Sequence, residues 1–101
     1  MGKLVRDRIP EIIRAEGREP VTRVLTVNEY ETELHAKLAE EAAELLVAPA
    51  DDRLEEMADV YEVLSAMAAH HGFTMRDVAL TAADKLSARG GFGDRLWLKS
   101  W

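Results

Sequence analysis

The sequence contains no cysteine. Disulfides and thiolate metal sites are thereby excluded, and the composition suits a reducing cytoplasm. No apolar run approaches the roughly 18 residues that a membrane span requires. The opening Met1-Gly2-Lys3-Leu4-Val5-Arg6 lacks an apolar h-region, so no secretory signal is expected. Basic residues are in deficit. The net charge of −6 argues against generic binding to nucleic-acid polymers or anionic membranes. It does not argue against a small phosphorylated substrate, because a bound metal inverts the local potential. Proline and glycine are sparse, at 3 and 6 residues, so each one marks a place where an element stops.

What is present is an ordinary globular balance, 48% hydrophobic and 32% charged. The 101 residues suffice for one small domain, 1–101, and not for two. A domain of this size buries only roughly two-thirds of its unfolded surface, so self-association would add a needed margin.

The pattern reads as helical. Pro10 can open a short helix that Gly17 closes, with Ile12 and Ile13 as its apolar contacts. Val21 to Leu25 is β-branched and reads as extended. Thr26 or Asn28 can cap a long helix from about Glu29 to Val47, ended by Pro49. Asp51 or Asp52 can cap a third helix, from about Arg53 to His71, closed by Gly72. Leu54, Met57, Val60, Tyr61, Val63, Leu64 and Met67 make this third helix apolar almost all round, which predicts burial on every side. Thr74-x-x-Asp77 has the form of a capping box for a fourth helix, Met75 to Arg89, stopped by Gly90-Gly91. A tail with Trp97 and Trp101 follows, expected to anchor to its own subunit or a neighbour. Short connections between amphipathic helices predict an all-α antiparallel bundle.

Two acidic groups interrupt the apolar pattern: Glu40-Glu41-Ala42-Ala43-Glu44 and Glu56-Met57-Ala58-Asp59. A stripe through Leu34, Leu38 and Leu45 places Glu41 on the apolar face itself. At about 100° per residue, Glu40 and Glu44 lie roughly 40° apart, and Glu41 and Glu44 roughly 60° apart, as do Glu56 and Asp59. Antiparallel packing would converge four or five carboxylates on one spot. Uncompensated buried carboxylates cost several kcal/mol each, on the order of what a small domain can lose, so a cation should sit among them. Oxygen-only donors suit a hard divalent ion, and two helices offering two acids each suit Mg²⁺. A spare carboxylate beside the ligands can accept a proton from water. Glu55 stands as a neighbour of Glu56, but the Glu-x-x-Asp spacing favours Glu56. A di-iron bundle would require Glu-x-x-His, and no His follows a Glu by three. His70 and His71 close the third helix, where the dipole favours positive charge.

The pattern Glu-Glu-x-x-Glu, eleven intervening residues and Glu-x-x-Asp resembles that of the MazG-like, all-α nucleoside triphosphate pyrophosphohydrolases. The flanks add to the likeness. Lys3 to Ile13 (KLVRDRIPEII) resembles the opening of a small single-domain branch of that superfamily, and Ala83 to Phe92 (ADKLSARGGF) resembles its close. The resemblance implies Mg²⁺-dependent cleavage between the α and β phosphates of a nucleotide, with Mn²⁺ as a substitute metal. It implies Glu41, Glu44, Glu56 and Asp59 as metal ligands and Glu40 as the base acting on water. Lys85 and Arg89 would hold substrate phosphate; Lys37, one turn before Glu41, joins them by helix spacing. It also implies a homodimer or homotetramer, which would complete the bundle.

Two alternatives accompany this reading. Phosphoribosyl-ATP pyrophosphohydrolase of histidine biosynthesis shares the acidic motif. It usually has a Tyr-His pair after the Asp, whereas Val60-Tyr61-Glu62 follows Asp59 here. A non-catalytic helical oligomerisation module would keep the fold and need no metal. No residue announces a base preference; Tyr30, Tyr61, Phe73, Trp97 and Trp101 are the candidates for stacking, and such residues more often serve a core or interface.

Overall fold

A computed structural model describes residues 2–101. Among them the regular structure is all helical: α1 (Ile9–Ala15), α2 (Val27–Val47), a 3₁₀ turn (Ala50–Asp52), α3 (Arg53–His70) and α4 (Met75–Arg89). Pro10 occupies the first turn of α1 and needs no N–H there. Gly17 follows its end with φ +85°, a conformation that suits glycine. The segment 21–25 forms no strand and has Val21 and Val24 almost fully exposed. No second strand lies among the described residues for it to pair with.

Thr26 caps α2 through a reciprocal pair. Its Oγ1 accepts from the Glu29 N–H at 3.2 Å, and its own N–H donates to Glu29 Oε1 at 3.0 Å. Arg23 donates to both carboxylate oxygens of Glu29, at 3.0 and 2.7 Å. Thr74 and Asp77 form the second capping box, at 3.1 and 2.8 Å, as the sequence predicts. The expected aspartate cap of α3 does not form. The 3₁₀ turn feeds directly into the helix, with Asp52 already helical at φ −99°, ψ −6°, and its N–H donates to the Pro49 carbonyl at 3.0 Å. The Arg53 N–H, the first of α3, donates to the Ala50 carbonyl, so the turn satisfies one of the helix's opening donors through the backbone.

The helices α2 and α3 pack as an antiparallel hairpin, with the N-terminal end of α2 beside the C-terminal end of α3. The α4 helix touches α3 and does not reach α2. A bundle closed within one chain is therefore not formed. Within this chain α3 is not buried on every side, contrary to what its apolar pattern predicts. Val63 and Ala68 are buried, but Leu54, Met57, Tyr61 and Leu64 are exposed because no helix of the same chain lies over them. The radius of gyration of 17.4 Å exceeds the roughly 13 Å of a compact chain this long. The tail from 90 to 101 has no helix or strand, and Trp97 and Trp101 are exposed rather than anchored to this subunit.

Candidate metal centre

The centre starts from one anomaly in α2. Leu34 and Glu41 stand two turns apart on the same face, and both are buried. Glu41 is only 6% exposed, and it is the buried charged residue of the described chain. Its partner helix supplies no cation. Facing it are Glu56 and Asp59 of α3, each half-buried. Oxygen atoms of Glu41, Glu56 and Asp59 all lie within 4.8 Å of one another. Glu40, Glu41 and Glu44 form a second set with the same closeness. Glu41 belongs to both sets and links them.

Two buried oxygens, Glu41 Oε2 and Glu56 Oε2, have no hydrogen-bond partner. Buried polar atoms are normally satisfied, so these two mark a missing donor or cation. Burial raises the Glu41 pKa above the ordinary carboxylate range, and the Glu44 carboxyl adds to the rise. Lys37 opposes it from the other side. Burial also raises Glu56, reinforced by the negative charge of Asp59, Glu41, Asp52 and Glu55. Both shifts have burial as their largest cause, with like charge from neighbouring carboxylates adding to it. A divalent cation would offset that charge, and an all-carboxylate donor set suits a hard one. By this test the residues fit Mg²⁺.

Two basic side chains reach the cluster. Lys37 Nζ lies 3.4 Å from Glu40 Oε2 and 3.4 Å from Glu41 Oε1, spanning adjacent turns of α2. Arg6 donates to Asp59 Oδ1 at 2.6 Å, from a segment 53 positions away. Its neighbour Arg8 pairs locally with Glu11, so the basic opening divides into one local and one long-range contact. A contact across 53 residues leaves no periodic signal that could have revealed the partner of Arg6. Arg6 and Lys37 line a cleft of about 240 Å³ with Glu41, Asp59, Glu62 and Tyr30. Leu4, Val5, Leu34, Val63 and Ala66 form its apolar walls.

The sequence-predicted residues thus separate into groups. Glu41, Glu56 and Asp59 come together across the hairpin. Glu40 and Glu44 join through Glu41, with Glu40 half-buried and Glu44 exposed. Lys37 lines the cleft. Lys85 and Arg89 do not: both are exposed on α4, and Arg89 lines a separate hollow formed with the tail. A further grouping escaped the sequence reading, Glu31 with His70 and His71. Only the antiparallel pairing of helix ends brings these together.

No family model matches the chain, and no solved structure matches it. Over 52 residues it is 60% identical to an uncharacterized protein of Mycolicibacterium smegmatis. The match takes in 52% of this chain, and the chain spans about half (53%) of the length of that relative.

Proposed function

We propose that this chain is a Mg²⁺-dependent nucleotide pyrophosphohydrolase of the MazG-like type. The observation that carries the reading is the pair of buried, unpartnered oxygens on Glu41 and Glu56, facing each other with Asp59 across two helices. A soluble helical scaffold has no structural use for that arrangement, since apolar residues of similar volume would pack there without an electrostatic cost.

In this reading Glu41, Glu44, Glu56 and Asp59 hold the metal, in Mg²⁺ or Mn²⁺ form. The bound ion supplies charge stabilisation at the phosphoryl oxygens and lowers the pKa of water. Glu40 stands beside the ligands with its carboxylate partly open to solvent, where it can orient a water and take its proton. Lys37 holds Glu40 and Glu41 in register and offers positive charge to a phosphate entering the cleft. Water is added across the α–β phosphoanhydride as a bridging P–O bond breaks, with its proton taken by Glu40. The products are a nucleoside monophosphate and pyrophosphate. Lys85 and Arg89 contribute only if a neighbouring copy brings them to the cleft.

Assembly belongs to the same proposal. The exposed apolar face of α3 (Leu54, Met57, Tyr61, Leu64) and of α4 (Leu80, Leu86) is what a homodimer or homotetramer would cover. No helix among the described residues is long and apolar enough to cross a membrane. A cytoplasmic setting, where nucleotides and Mg²⁺ are available, fits the reading.

The test is the product. With Mg²⁺, a panel of nucleoside triphosphates should yield pyrophosphate and not phosphate, and a chelator should stop the release. Turnover of phosphoribosyl-ATP alone would move the protein to histidine biosynthesis. If neither Mg²⁺ nor Mn²⁺ raises the melting temperature and no nucleotide is cleaved, the hairpin is an oligomerisation module instead.

A further inference from the structure

The acidic cluster lies towards the closed end of the α2–α3 hairpin, where the short 48–52 connection joins the helices. At the open end a different set of donors meets. His70 is the last residue of α3, and His71 is its C-cap, at φ −89° and ψ 5°. Consecutive helical residues diverge by about 100°, so adjacent histidines inside a helix do not share a target. Here the helix stops between them, and the two rings sit with centroids 5.0 Å apart. Glu31, one turn into α2, faces both. Its Oε1 lies 3.7 Å from His70 Nε2 and 3.6 Å from His71 Nε2. These separations are longer than hydrogen bonds. The His70 side chain is 14% exposed, and the Tyr30 ring holds it edge-on with centroids 5.5 Å apart.

Two imidazole nitrogens and one carboxylate oxygen, all within 4.8 Å, form a donor set unlike the all-oxygen cluster. Imidazole favours borderline transition cations over Mg²⁺. Zinc bonds of about 2.0–2.1 Å in tetrahedral geometry place ligand atoms roughly 3.3–3.4 Å apart. The two Glu31–imidazole spacings exceed this by a few tenths of an ångström, and the imidazole donors lie within 4.8 Å of each other. We propose that Glu31, His70 and His71 form a second metal site, for Zn²⁺, that clips together the open end of the hairpin. Three protein ligands leave the fourth position to water. Joining residue 31 to residues 70 and 71 closes a long loop, where a cross-link restricts the unfolded chain most. The competing state is a proton: an imidazolium beside Glu31 at the negative end of α3 would satisfy the same geometry without metal.

The decisive experiment titrates Zn²⁺ into the full chain in saturating Mg²⁺, following melting temperature and the imidazole NMR resonances. One equivalent should raise the melting temperature and shift His70 and His71, while the third histidine, His35, stays unmoved. His71→Ala and Glu31→Gln should each weaken Zn²⁺ binding by more than about tenfold, since even supporting residues of metal sites cost that much. Glu41→Gln should leave it unchanged. Imidazoles that answer only to pH would overturn the proposal. So would a Zn²⁺ effect that survives both His71→Ala and Glu31→Gln, or one that disappears in Glu41→Gln. His71 is nearly half-exposed, so its replacement threatens folding less than replacing His70; Glu31→Gln provides the second, near-isosteric variant.

Discussion

At the closed end of the α2–α3 hairpin the converging side chains are carboxylates; at the open end two of three are imidazoles. The same two helices build both places. The first gathers negative charge around a buried Glu41 and leaves two oxygens without partners. The second balances one carboxylate against two groups that can be neutral, protonated or metal-bound. Unpartnered buried carboxylate oxygens therefore accumulate at one end only, and the proposed cation would answer them there. The open end offers two nitrogen donors beside its carboxylate, so its proposed metal would be selected by donor chemistry and not by charge alone.

The comparison can be broken most severely at Glu41. Glu41→Gln should reduce pyrophosphate release by more than about a hundredfold, because it removes the residue shared by both carboxylate sets. It should leave the helical circular dichroism intact. Retained turnover would remove Glu41 from the ligand set. A smaller effect concerns stability and pH. In metal-free protein Glu41 and Glu56 titrate above the ordinary carboxylate range, first because they are buried. The native state then holds protons that the unfolded state has lost. Their contribution is fully present below the unfolded pKa and is lost as pH rises through the raised values. The melting temperature of chelated protein should fall across that window, and Mg²⁺ should flatten the slope.

The open end should show the opposite sign. Hydrogen bonds from Arg23, and then from the Thr26 N–H, lower Glu29 to about 2. Its contribution is present above the unfolded carboxylate pKa and is lost as pH falls towards 2. Replacing Glu29 with Gln should remove that acid limb while leaving the Mg²⁺-sensitive limb unchanged, as read from melting curves across pH. The smallest expected effect is at the caps. Thr26→Ala should cost about 1 kcal/mol by chemical denaturation. Because Thr26 caps α2 at its open-end terminus, hydrogen exchange should speed up near Tyr30 before it does near Glu41.

Local features were the most legible in the sequence. Both capping boxes turn on residues at fixed spacing: Thr26 with Glu29 and Thr74 with Asp77. The bounds of α4 follow from Thr74 and the Gly90-Gly91 pair. Glu41 was legible as well, because a charge on an apolar stripe contradicts its surroundings and the structure buries it there. The surroundings of α3 were not legible. An all-round apolar helix says that something covers it, but not that the cover is absent from the same chain. Arg6 on Asp59 was hidden for another reason: the partners are 53 positions apart, and nothing periodic connects them. Lys85 and Arg89 matched a motif, yet α4 leans on α3 alone and carries them away from the cleft.

By itself the sequence determined the helices, most of their stops and the oxygen-rich character of the acidic segments, since periodicity, caps and donor chemistry act over a few residues. Only the tertiary structure decided which acids face one another, that Arg6 and Lys37 join them, and that Glu31 meets two histidines. Those outcomes depend on the direction and register of α2 against α3. A helix packs through a whole face, and many registers bury similar apolar area; the one adopted brings Glu41 to Glu56 at one end and Glu31 to His70 at the other.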